Sequence, residues 1–134
     1  MPPMEPDSPS CPFCEPPAGS VILKSRFVLA LWDGFPVSPG HALIAPCRHV
    51  ARWSEATDVE HQELAFAIAE VQQIIQEQHH PAGFNVGFND GPAAGQTVGH
   101  LHIHVIPRYE GDVPDPRGGI RLVIPDKARY WEQE

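Results

Sequence analysis

The chain has 134 residues, 42% hydrophobic and only 8% aromatic, with 16 prolines, 11 glycines and 8 histidines, enough for one domain with a single core and not for two. Nine Lys and Arg against 17 Asp and Glu leave a formal charge of −8, which argues against a nucleic-acid groove or an anionic membrane surface, since each needs a continuous basic patch. No apolar run approaches the roughly 20 residues of a membrane span, and Met1–Ser10 lacks the basic start and apolar stretch of a signal peptide, so a cytosolic protein is expected.

In chain order, seven of the 16 prolines fall in residues 1–17, which reads as an extended arm in need of an anchor. Within it, Cys11 and Cys14 form a Cys-x-x-Cys pair. Three cysteines in all, with Cys47, are too few and too odd in number for a disulfide framework. Half of a metal site, a redox motif and an unliganded loop remain open for the pair; Pro12 between the cysteines and Pro16-Pro17 after them disfavour the redox reading. Val21–Leu23 and Phe27–Leu31 read as a β-hairpin, Trp32–Gly40 as a long turn, and His41–Pro46 as a strand closed by proline.

Thr57-Asp58-Val59-Glu60 fits a capping box opening a helix, and Leu64, Ile68, Val71 and Ile75 carry its apolar stripe until Pro81 and Gly83 end it. Its role is to pack on a sheet. Phe84–Phe88 returns to strand alternation, Asn89–Gly95 is turn-rich, and His100–Pro107 gives the strongest strand signal. Gly111–Gly119 reads as a loop and Ile120–Ile124 as an edge strand. Strands around one long helix, without a βαβ repeat, point to an antiparallel α+β domain.

On a strand, His100, His102 and His104 project from one face about 7 Å apart, with Leu101, Ile103 and Val105 on the other. Two chemistries compete for three imidazoles on an open face. One is a three-histidine metal centre activating water; against it, the outer rings of an extended strand sit about 13 Å apart, too far to share an ion at about 2 Å. The other is nucleophilic attack on phosphorus by the middle imidazole, which is neutral and nucleophilic near pH 7.

At Gln96-Thr97-Val98-Gly99-His100-Leu101-His102-Ile103-His104-Val105-Ile106-Pro107-Arg108 the chain resembles the histidine triad (HIT) family, with the flanks of its fragile-histidine-triad-like dinucleoside polyphosphate hydrolase branch. Asp33 with Pro36–His41, Arg48-His49-Val50 and Asn89-Asp90-Gly91 resemble further segments of the family, so the likeness spans Cys11 to Asp112. It implies an α+β fold of about five antiparallel strands with one long helix and a short one, and a homodimer whose sheets join. The division it implies is an arm at 1–17, the HIT domain at 18–112 and an extension at 113–134.

The resemblance implies roles as well. His102 is the nucleophile that forms a nucleotidyl-histidine, its tautomer held by backbone near His100, and His104 contacts the phosphate and aids the leaving group. Asp33 binds ribose hydroxyls, Asn89 lies near the α-phosphate, and Gln96 and Thr97 contact phosphate and leaving group; taken singly, Asn89, Gln96 and Thr97 are also ordinary turn residues. In bacterial-type members Cys11, Cys14, His49 and His100 correspond to the ligands of a structural zinc, which would anchor the arm. The implied function is hydrolysis of dinucleoside polyphosphates resembling diadenosine tetraphosphate, with an adenosine phosphoramidase or a non-catalytic nucleotide-binding module as alternatives. Arg108, Arg117 and Arg121 are the basic residues available for a second phosphate run, and His41, His61, His79, His80 and Cys47 carry no expected function.

Overall fold

The computed structural model describes residues 11–132. Five strands, β1 (Val21–Lys24), β2 (Val28–Trp32), β3 (Ala42–Pro46), β4 (Gly83–Gly87) and β5 (Ile103–Arg108), form one antiparallel sheet in the order β1-β2-β3-β5-β4. A long helix α1 (Asp58–His79) joins β3 to β4, and a short α2 (Pro125–Ala128) follows β5. No helix among the described residues is long and apolar enough to cross a membrane.

The helix begins where its capping chemistry dictates. Thr57 Oγ1 accepts from Glu60 N at 3.1 Å, and Glu60 Oε1 accepts from Thr57 N at 2.9 Å, so both orphan donors of the first turn are met. Glu60 is buried and also takes two bonds from Arg48, at 2.8 and 3.3 Å; that guanidinium holds its carboxyl below the usual range. The helix start is thereby tied to the segment after β3 that carries His49. At the other end His80 takes the left-handed conformation, φ 53°, and Pro81 prevents continuation.

Leu64, Ala67, Val71 and Ile75 bury one helix face against Val28, Ala30, Ala42, Ile44, Ile103 and Val105 of the sheet, while Ile68 packs at the margin. Each fully buried Leu, Val or Ile contributes about 1.5–3 kcal/mol relative to exposure. The opposite sheet face is packed at its β2–β3 end, where Leu29, Leu31 and Ala45 meet Cys11 and Phe13, and the Gly119–Val123 segment approaches it over β4.

Three expectations are corrected. The described part of the arm is not extended: Glu15 N donates to Cys11 O at 2.9 Å, closing a turn that drives Cys11 and Phe13 into the core, while residues 1–10 lie outside the described region. The final strand begins at Ile103 rather than His100, because Leu101 N bonds Val50 O and pairing with β3 starts only at Ile103. Ile120–Ile124 is not an edge strand; Gly119–Val123 is a 3-10 helix, entered through Gly118 in the left-handed region.

Removing the cap hydroxyl with Thr57→Ala should cost about 1 kcal/mol, read as a lowered urea midpoint at unchanged slope. An unchanged midpoint would show that the helix start is held by packing alone.

Candidate active site and metal centre

Strand alternation places His104 on the sheet face opposite α1, and the register sets it beside Leu43 of β3 and Gly87 of β4. His102 lies just before β5, its ring 5.2 Å from that of His104 and stacked on Phe13 at 5.0 Å. Its Nδ1 is 2.8 Å from the carbonyl oxygen of His100. A carbonyl only accepts, so Nδ1 carries the proton and Nε2 keeps its lone pair. Burial, the dominant influence, pushes the His102 pKa below the usual imidazole value, which keeps the ring neutral at pH 7.

His100 is not on an open face: Phe13 packs on it as on His102. The His100 ring is fully buried, with Nε2 2.8 Å from the carbonyl of Pro46, so that Nε2–H donates and Nδ1 is left as a ligand atom. That Nδ1 lies 3.5 Å from Cys11 Sγ, 3.7 Å from Cys14 Sγ and 3.1 Å from His49 Nδ1, and Cys14 Sγ is 3.1 Å from His49 Nδ1. All four ligand atoms fall within 4.8 Å of one another. Ions bound at about 2.0–2.3 Å in a tetrahedron separate their ligands by roughly 3.3–3.8 Å, so two thiols and two imidazoles fit a closed Cys2His2 centre. The group could hold a metal ion. Cys47 stays out of it, half-buried with its thiol directed at Ser25 O.

Beside His102 and His104 the structure adds His41, a histidine to which the sequence assigned no function. His41, 3% exposed, accepts from Val37 N at Nδ1 (3.1 Å) and lies 2.9 Å from His104 Nδ1 through Nε2. Because its Nδ1 accepts, neutral His41 is protonated at Nε2 and donates to His104 Nδ1. Neutral His104 then carries its proton on Nε2, directed away from His41 as a donor. Asp33 Oδ2 is 3.4 Å from His41 Nε2, and its other oxygen accepts from Phe35 N at 2.8 Å. The sequence signals for His41 were its place in the family-like Pro36–His41 segment and one residue before β3, in phase with Leu43, which pairs with His104.

The remaining expected residues divide. Asn89, with His41 and His104, lines a cleft of about 310 Å³. Gln96 is buried with both amide hydrogens engaged, by Ala51 O at 2.8 Å and Val98 O at 3.0 Å, while its oxygen accepts from Gly91 N; it shapes the loop from within. Thr97 is exposed at the loop surface. Arg108 is held by Asp112 and Asn85, Arg117 by Asp115 and Trp131, and Arg121 by the carbonyls of Lys127 and Ala128, so each of these cations is already committed. A cation not singled out, Arg52, lies against Gly91, whose φ of +97° favours glycine and whose Cβ position is 2.7 Å from the guanidinium. A larger hollow of about 440 Å³ near Arg108 and Asp112 contains no histidine.

Burial is the main cause that lowers the pKa of His41, His102 and His104, the last to about 4; neighbouring imidazoles add to it at His104, and Asp33 opposes it at all three. A ring whose native pKa lies below its unfolded value gives stability that is complete above about 6.5 and is lost as pH falls toward the native value. The urea midpoint should therefore drop between pH 7 and 4.5, with a shallower slope in His104→Asn. Equal slopes for the two proteins would refute the neutral assignment of His104.

A family model described as the HIT domain matches residues 17–111. The chain is 38% identical over 111 residues to an AP-4-A phosphorylase of Mycobacterium tuberculosis, covering 78% of this chain and 57% of that protein. It is 38% identical over 101 residues to an asymmetrical bis(5'-nucleosyl)-tetraphosphatase of Schizosaccharomyces pombe, covering 75% and 56%. It thus spans about half the length of these curated relatives. A zinc-bound histidine triad family protein from Mycobacterium smegmatis shares the fold with a TM-score of 0.69 at 30% identity, over 93% of this chain and 98% of that one. The matched region contains His100, His102 and His104 as well as His41, Asp33 and Asn89, and on this agreement of sequence and fold the chain belongs to the HIT domain family.

Proposed function

We propose that the chain is a nucleotide hydrolase or transferase acting on dinucleoside polyphosphates resembling diadenosine tetraphosphate. The observation that carries the reading is the 2.8 Å bond from His102 Nδ1 to the His100 carbonyl, which leaves Nε2 unprotonated and nucleophilic. Names of relatives that handle AP-4-A and bis(5'-nucleosyl) tetraphosphates support the substrate class.

In the first step His102 Nε2 attacks the α-phosphorus, a P–N bond forms, and the bridging P–O bond to the leaving polyphosphate breaks. The leaving oxygen departs as an anion stabilised by a hydrogen bond from His104 Nε2–H, a proton that His41 holds on that nitrogen. Water then attacks the same phosphorus, its proton passing to solvent, and the P–N bond breaks, releasing the nucleoside monophosphate and returning His102. Asp33 accepts from ribose hydroxyls, and Asn89 donates to phosphate oxygen without adding charge. In this reading Gln96 acts through the loop that it braces, and Thr97 meets the phosphate chain at its surface.

Zinc at Cys11, Cys14, His49 and His100 is the ligand-set counterpart of this reading. Four protein ligands leave no open position, so the ion supplies a cross-link from the Cys-x-x-Cys turn to the triad and no water activation. We further read the protein as a cytoplasmic homodimer without nucleic-acid or membrane partners, β4 being paired along one edge only.

Rapid-quench reaction with radiolabelled diadenosine tetraphosphate should yield an acid-labile adenylate on the protein, and His102→Asn should lower turnover by at least about a thousandfold. Tight binding with no adenylate would instead make the chain a nucleotide-binding module. Turnover of adenosine phosphoramidate alone would move it to the phosphoramidase class. Protein purified without added metal should carry about one zinc per chain, and Cys14→Ser about a tenth of that or less, with a lowered melting temperature. Wild type without zinc would end the metal assignment.

A further inference from the structure

The cleft that begins at His41, His104 and Asn89 does not stop at the triad. Its lining continues to Phe88, Ile120 and Val123. Those three side chains are 37%, 59% and 74% exposed, apolar surface that a protein normally leaves open only where something binds. Phe88 is not a loose ring. It stacks on Trp53 at 5.1 Å, which stacks on His61 at 4.0 Å; Trp53 N donates to Asp90 Oδ1 and His61 Nε2 to Trp53 O.

The wall at Ile120 and Val123 is equally fixed. The Gly119–Val123 turn is pinned by Arg121, which bonds the carbonyls of Lys127 and Ala128 and lies over Tyr130. This wall lies beyond residues 17–111, the part matched by the family model. An aromatic ring and aliphatic side chains, with the amides of Asn85 and Asn89 in the same lining, match a nucleobase: apolar faces and a polar edge. A volume of about 310 Å³ is at the lower end for small-molecule sites and has room for one nucleoside, not two.

Sheet order says which nucleoside. With the order β1-β2-β3-β5-β4, Asp33 after β2 lies on one side of His104 and the cleft extends over β4 on the other. The half of the substrate whose ribose meets Asp33 is the half transferred to His102. We propose that the cleft lined by Phe88 and the Ile120–Val123 turn binds the base of the leaving nucleotide, a second nucleoside at the far end of the polyphosphate. The inference rests on the dinucleoside polyphosphate reading above.

The test separates the two. In the non-turnover His102→Asn background, calorimetry compares diadenosine tetraphosphate with adenosine tetraphosphate, which has the same phosphate chain and no second nucleoside. The dinucleotide should bind about tenfold more tightly, about 1.4 kcal/mol, and the gap should close in both Phe88→Leu and Val123→Asp while adenosine tetraphosphate affinity holds. No gap at the start, or a gap that survives both substitutions, overturns the subsite. Because the readout is binding, a wild type that fails to turn over diadenosine tetraphosphate would defeat the proposed function and leave this result to be judged on its own.

Discussion

Everything around the nucleophile hangs on His100, a residue whose two ends do different work. Its ring, oriented by the Pro46 carbonyl, joins Cys11, Cys14 and His49 in a buried cluster; its own carbonyl accepts the Nδ1 proton of His102. The backbone cannot move to suit one end without disturbing the other. Fixing the ring therefore fixes the tautomer of the neighbouring imidazole, so the buried Cys and His cluster bears on the unprotonated nitrogen of His102. The same anchor explains why β5 begins late: residues 100–102 are committed to these bonds and cannot also enter the ladder.

The second chain of constraint runs from backbone to hydrogen-bond donor. Val37 N–H fixes the protonation of His41, and His41 fixes that of His104. Three neutral rings in a desolvated site leave one lone pair and one N–H facing the same space, the complementary pair that displacement at phosphorus requires. On the proposed function, neutrality would also account for a chain of charge −8 taking a polyanion. Arg108, Arg117 and Arg121 are spent on carboxylates and carbonyls, so recognition of phosphate would fall to amides, imidazoles and backbone, with Arg52 beside the Gly91 loop as a nearby cation.

The elements that could be read from sequence were those governed by local rules. The capping box at Thr57 and Glu60, the apolar stripe of α1, the hairpin of β1 and β2 and the alternation from Leu101 to Arg108 all express periodicity or a side-chain bond within four residues. What stayed hidden depends on partners far along the chain. The burial of His100 needs Cys11 and Pro46; the role of His41 needs the β3–β5 register; the turn at Gly119–Val123 needs Arg121 bonded to Lys127 and Ala128. The Cys-x-x-Cys and Arg-His-Val segments could be paired through family likeness, whereas no spacing rule brings residues 11 and 100 together.

The ligand set proposed for the metal has an electrostatic consequence. Two thiolates and two neutral imidazoles exactly offset a divalent ion, so such a centre adds no net charge beside His102. A three-histidine centre would have carried two positive charges into the same space, drawing the substrate phosphate but also depleting the imidazole of its nucleophilic lone pair. Such a centre behind the carbonyl of His100 would govern where the ring of His102 points without adding charge, leaving burial, opposed by the His100 carbonyl and Asp33, to govern whether that ring is protonated.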